Sequence, residues 1–136
     1  CEDAECLKVC PTGATYRDKN GLIMIDAKRC MGCQYCVVAC PYMARFFNEG
    51  RAPPEGVPVM VDDRDRWGTV EKCDFCIDRV EAGGQPACVE ACPYSARIFG
   101  DLDNPDDKIW EIINTKQLVT LKDGNKTSVY YVKVSK

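Results

Sequence analysis

Apolar positions in this chain come in short bursts between turn-forming clusters, so the pattern predicts many brief elements. In residues 14–26 the turn chemistry of Asp18-Lys19-Asn20-Gly21 precedes the apolar stretch Leu22-Ile23-Met24-Ile25, which predicts a β-hairpin. Ile77-Asp78-Arg79-Val80-Glu81-Ala82 predicts a helix stopped by Gly83-Gly84 and Pro86. Asn104 is a good N-cap, with Pro105 at the first helical position and Asp106 and Asp107 in the first turn. That helix is expected to run on through Lys108-Ile109-Trp110-Glu111-Ile112-Ile113. Residues 117–121 and 128–134 read as strands separated by Asp123-Gly124-Asn125. Residues 48–67, rich in Gly, Pro, Arg and Asp, read as an inserted surface loop with a short strand at residues 57–61. No apolar run approaches the length that spans a bilayer.

One pattern occurs three times. CVVACPYMARFF at residues 36–47 recurs as CVEACPYSARIF at 88–99, and a weaker copy, CLKVCPTGATYR, occupies 6–17. Such a repeat marks one supersecondary unit reused. Each copy predicts a short helical turn carrying two cysteines, a Cys-Pro corner, then a strand from the alanine onward. Around the middle copy, Cys30, Cys33, Cys36 and Cys40-Pro41 form C-x2-C-x2-C-x3-C-P, the bacterial ferredoxin run whose thiolates ligate [4Fe–4S] clusters. Three closely spaced thiolates can grip three corners of one cubane, and Gly32 relieves crowding where the backbone bends around it. Pro41 disfavours the α conformation at Cys40, which turns that thiolate away from its own loop. In two-cluster ferredoxins the fourth cysteine ligates the other cluster, so one run implies a partner run.

Relatives of the run lie on both sides. Cys1, Cys6 and Cys10-Pro11 give C-x4-C-x3-C-P, and Cys73, Cys76, Cys88 and Cys92-Pro93 give C-x2-C-x11-C-x3-C-P. The first lacks a leading cysteine whose natural place is just before Cys1, so the native chain is expected to extend upstream. Eleven cysteines, an odd number in C-x-x-C and Cys-Pro settings, argue against a disulfide framework. The absence of histidine excludes Rieske-type and mixed cysteine–histidine zinc sites from this segment. Zinc held by four cysteines fits Cys73, Cys76, Cys88 and Cys92 taken alone, but it explains neither the prolines nor the Cys30 run. A net charge of −3 offers no basic footprint for nucleic acid. No histidine base, nucleophile motif or phosphate loop suggests catalysis.

The series CxxxxCxxxCPTGAT, RCxGCxxCVxACPYxAR, KCxFCxxR and GxxPACVxACPxxARxFGDLDNP resembles the four-cluster iron–sulfur subunits of the DMSO reductase family. The resemblance implies an α+β fold of ferredoxin-like repeats with pseudo-two-fold symmetry, short helices and small antiparallel sheets around the clusters. Because no cysteine follows Cys92, residues 1–100 read as a polycluster domain and 101–136 as a helix-and-strand extension, either structural cover or a clasp on a partner. The resemblance implies one-electron relay, with no catalytic site in this chain, between a molybdopterin catalytic subunit and a quinone-linked membrane subunit. Those partners would tether the chain to a membrane, on the periplasmic rather than the cytoplasmic face. By the family's nested pairing, Cys10 joins Cys30, Cys33 and Cys36 on one cluster, and Cys40 joins Cys1, Cys6 and an upstream cysteine on another. Cys73, Cys76 and Cys88 need a ligand from a further run, and Cys92 completes a cluster whose other ligands lie outside this segment.

Several residues around these runs have two readings. Positive charge at Arg45, Arg97 or Lys72 would raise a cluster's potential; the plainer reading, ordinary strand or surface residues, is preferred. Asp74 would lower it if its carboxylate faced the cluster. Tyr42 and Tyr94 read as packing around clusters, and Trp67 and Trp110 as core or interface anchors.

Overall fold

The computed structural model describes residues 1–50, 66–121 and 126–133, and the expected strand at 57–61 and turn at 123–125 lie outside the described residues. The chain divides into two compact units: Cys1–Cys73 with Lys122–Thr127, and Asp74–Leu121 with Ser128–Lys136. Short helices and two-stranded antiparallel sheets make up both.

In the first unit, α1 (Glu5–Lys8) leads into the hairpin of β1 (Thr15–Arg17) and β2 (Ile23–Ile25), in register Thr15↔Ile25 and Arg17↔Ile23. The turn forms as its residues predict. Asp18 Oδ1 accepts the amides of Asn20 at 2.9 Å and Leu22 at 2.7 Å, and Gly21 takes φ +78°. After α2 (Tyr35–Ala39), β3 (Arg45–Phe47) pairs antiparallel with β4 (Val70–Lys72), Arg45 opposite Lys72 and Phe47 opposite Val70. Helices α1 and α2 pack on each other, and β2 lies against β4. Ala4, Ala14, Ile23, Cys36 and Val70 are buried between them, with Thr15, Arg45 and Thr69. The base of the 48–67 segment is tied to this sheet. Asn48 N–H donates to the Thr69 carbonyl, its carbonyl accepts from Gly68, and Trp67 lies against Gly50.

The second unit holds α3 (Ile77–Glu81), α4 (Ala87–Glu90), α5 (Ile109–Thr115) and the pair β5 (Leu118–Val119) and β6 (Tyr131–Val132). Helix α3 stops where its glycines predict. Gly83 N–H donates to Val80 and Gly84 N–H to Arg79, the two bonds of a Schellman ending, with Gly83 at φ +82°. Among the described residues Pro86 alone is buried in this unit. Phe75 and Phe99 meet with ring centroids 6.0 Å apart.

Two expectations are corrected here. The copy at 88–99 forms no strand after Ala96, because among the described residues no segment pairs with it as β4 pairs with β3. Helix α5 begins at Ile109 rather than behind Asn104. Asn104 Oδ1 instead takes the Asp106 amide in a local turn, and Asp107 anchors the helix start by accepting Ile109 N–H at 2.8 Å and Asp101 N–H at 3.0 Å. Those amides hold the Asp107 carboxyl below its ordinary pKa. Gly100 is needed there, since a Cβ would stand 2.5 Å from Ile109 Cβ.

Candidate metal centre

All eleven cysteines are free of disulfides. Three sit in the same local frame. Each Cys-Pro corner is a turn closed by a backbone bond from the third residue after the cysteine: Gly13 to Cys10, Met43 to Cys40 and Ser95 to Cys92. That third residue has positive φ in every copy, +62° at Gly13, +50° at Met43 and +51° at Ser95. The turn folds the chain back so that later amides face the sulfur. Thr15 N–H reaches Cys10 Sγ at 3.4 Å, and Ala96 N–H reaches Cys92 Sγ at 3.3 Å. Val70 N–H makes the same contact to Cys30 Sγ at 3.4 Å.

The donors at Cys10 and Cys92 favour thiolate. Burial works to raise the Cys10 pKa, but the Thr15 amide and the Thr12 side chain draw it down to about 7. The amides of Ala96 and Tyr94 lower that of Cys92. Cys36, buried in α2, is pushed up by burial, with the Arg45 guanidinium pulling the other way. Cys40 ends α2 in extended backbone, φ −77° and ψ 111°, so the chain leaves the helix at the residue before Pro41, as expected. Gly32 takes φ +71°, and a Cβ there would stand 2.2 Å from the Gly68 carbonyl oxygen, so the crowding it relieves comes from the backbone beside β4.

Arg45 departs from the plainer reading, which placed it as an ordinary strand or surface residue. It is 4% exposed, donates to Cys6 Sγ at 3.1 Å and Thr15 Oγ1 at 3.2 Å, and also faces Cys36. Among the described residues no carboxylate pairs with it. A buried guanidinium needs an anion nearby. Its offset after a Cys-Pro corner was the available signal, and the pairing of β3 with β4 decided the outcome. Arg97, at the same offset, is exposed, and Lys72 donates to the Cys73 carbonyl. Asp74 Oδ1 accepts the Cys76 amide at 2.8 Å, with Cys76 itself at φ +51° as the residue before α3.

The structure thus brings Cys6 and Cys36 to one buried cation, with Cys10 on the neighbouring turn and Cys30 under the Val70 amide. Cys1 is held near the hairpin, where Arg17 donates to its carbonyl at 2.9 Å. Cys33, Cys73 and Cys88 are exposed, and Cys76 and Cys92 are partly so. Among the described residues no three cysteine or carboxylate side chains converge as one metal ion requires. A cubane presents four separate irons, so its ligands stand apart. Thiol donors carrying amide hydrogen bonds, beside a buried cation that no carboxylate pairs with among the described residues, fit an anionic iron–sulfur cluster.

Comparison with known proteins agrees. The 4Fe-4S dicluster domain family matches residues 1–102. A Halobacterium salinarum protein described as an iron-sulfur subunit of dimethyl sulfoxide reductase is 50% identical over 97% of this chain and 52% of its own length. The thiosulfate reductase electron transfer subunit of Salmonella typhi is 46% identical over 81% of the chain and 50% of its own length. The arsenate respiratory reductase iron-sulfur subunit of a Shewanella species is 35% identical over 98% and 71%. The chain thus spans about half the length of the first two. Matched across its cysteine runs, the chain belongs to the 4Fe-4S dicluster family, and its cofactor is the [4Fe–4S] cluster.

Proposed function

We propose that this chain is part of an electron-transfer subunit that relays single electrons through [4Fe–4S] clusters. Its donor or acceptor is a molybdopterin catalytic subunit on one side and a quinone-linked membrane subunit on the other. The observation that carries this reading is the packing of two cysteine runs around Arg45 in one unit. The relatives' printed roles in dimethyl sulfoxide, thiosulfate and arsenate reductases support the partners. Among the described residues no helix is long and apolar enough to cross a membrane. The partners would tether the chain to a membrane, with the periplasmic face favoured.

Cys30, Cys33, Cys36 and Cys10 hold one cluster, and Cys1, Cys6 and Cys40 hold three corners of its neighbour. The extended backbone at Cys40, where the chain leaves α2 before Pro41, supports this exchange. Cys73, Cys76, Cys88 and Cys92 serve two further clusters. The recurrence of helix and Cys-Pro turn supports a pseudo-two-fold cluster domain over 1–100, followed by the 101–136 extension. Bound clusters supply reversible one-electron redox chemistry. The chain's part is to hold thiolates, keep water from them and place charge beside them.

Anaerobic purification of the native protein with iron, sulfide and zinc analysis tests the reading. Four cubanes, about sixteen irons by the four-iron stoichiometry, are expected. Zinc in place of iron, or a colourless protein without redox-active spectra, ends it. Co-purification with a molybdenum-containing subunit tests the partner.

A further inference from the structure

Arg45 belongs to no ligand run, yet it stands where two runs meet. Its guanidinium donates to the sulfur of Cys6, from the run that includes Cys10, and faces Cys36, from the run that starts at Cys30. Its second amino group is held by Thr15 Oγ1 at 3.2 Å, and Thr15 is itself buried and donates its amide to Cys10 Sγ. Three cysteines of two runs are thereby connected through two buried side chains. The strand pairing of Arg45 with Lys72 fixes the backbone from which the guanidinium reaches.

From this geometry we infer that Arg45 is a positioning residue that raises the reduction potential of the cluster ligated by Cys6 and of the cluster ligated by Cys36. The inference rests on the cluster reading above. A hydrogen bond from a cation withdraws electron density from a ligand sulfur, and a fixed positive charge favours the form carrying one more electron. Burial makes both effects larger than they would be at the surface, since little water screens them. The guanidinium donates to Cys6 Sγ at 3.1 Å and also acts on Cys36, so one residue bears on ligands of two neighbouring clusters. Arg97 occupies the same sequence offset but is exposed, and it provides an internal control.

The test is a potentiometric titration of the native, iron-loaded protein, followed by electron paramagnetic resonance, for wild type, Arg45→Gln, Arg45→Lys, Thr15→Val and Arg97→Gln. Arg45→Gln is expected to lower the reduced-to-oxidised ratio of one cluster at fixed potential about tenfold, the size of one charged hydrogen bond. For one electron that is a shift of about 59 mV. The second cluster shifts in the same direction. Arg45→Lys recovers most of the shift by restoring the charge, Thr15→Val gives a smaller shift by freeing the guanidinium, and Arg97→Gln leaves both values near wild type. Lower iron occupancy or melting temperature with unchanged potentials in the loaded fraction overturns the inference and leaves Arg45 a structural residue. Should Arg45→Gln fail to bind iron, Thr15→Val decides, and unchanged potentials there overturn it. Wild-type protein without clusters would instead overturn the cluster reading itself.

Discussion

In residues 36–47 a helix, a Cys-Pro turn and a strand follow one another, whereas residues 88–99 carry the helix and the turn but no strand. The two sequences differ at three of twelve positions. Both turns close with the same backbone bond and the same left-handed third residue. The difference begins at the arginine. After Met43 the chain meets β4 and pairs with it, which buries Arg45 beside Cys6. After Ser95 it has no such partner among the described residues, and Arg97 stays exposed. A short segment therefore carries its turn geometry with it, while burial and electrostatic role come from what the fold places alongside. The units around the copies differ in the same way. The first packs Ile23, Val70 and Cys36 into a small core, while in the second only Pro86 is buried among the described residues.

Removing iron should magnify this contrast most. Chelation is expected to cost residues 74–121 at least tenfold more amide protection than β1 to β4, about 1.4 kcal/mol of local stability, as hydrogen exchange would show. A unit with little apolar burial has little besides metal ligation to hold it. Equal loss in both units would break the comparison.

Gly32→Ala comes next. A left-handed backbone costs about 1–2 kcal/mol with a side chain, and a Cβ 2.2 Å from the Gly68 oxygen adds overpacking of about 1–3 kcal/mol. A drop of roughly 3 kcal/mol in the first unit, read by denaturant unfolding, is expected from those two costs. An unchanged midpoint would mean that β4 does not confine the Cys30 loop.

Val70→Ala sharpens the role of the partner strand. Val70 is 2% exposed, and deleting two methyl groups should cost about 1.5–2 kcal/mol. Because the Val70 amide also reaches Cys30 Sγ, the spectrum of the Cys30 cluster should broaden as the strand loosens. Stability unchanged within error would remove β4 as the reason the two copies diverge.

The smallest effect tests what the copies share. Met43→Gly and Ser95→Gly should each stabilise the protein by about 0.5–1 kcal/mol, relieving left-handed strain less the entropy that glycine adds. Met43 is 89% exposed, so little packing is lost. Calorimetry should find the two gains similar. A gain at one position only would mean that the turns are not equivalent.

The chain's own residues determined most of its local structure. Spacing and prolines marked the ligand runs, Asp18 to Gly21 made the hairpin turn, Gly83-Gly84 ended α3, and Pro41 set Cys40 in extended backbone. These features depend on neighbours within a few residues, whose steric and hydrogen-bonding preferences act without the rest of the fold. Tertiary structure decided what the pattern left open. Val70–Lys72, only three residues beside a ligand run, became the strand that buries Arg45, and Asp107 displaced Asn104 as the anchor of α5. It also tied Gly32 to the Gly68 carbonyl and divided two arginines of identical sequence offset into a buried neighbour of thiolates and a solvent-exposed residue. Such outcomes depend on long-range pairing and on burial, which change the energy of a charge far more than its position along the chain does.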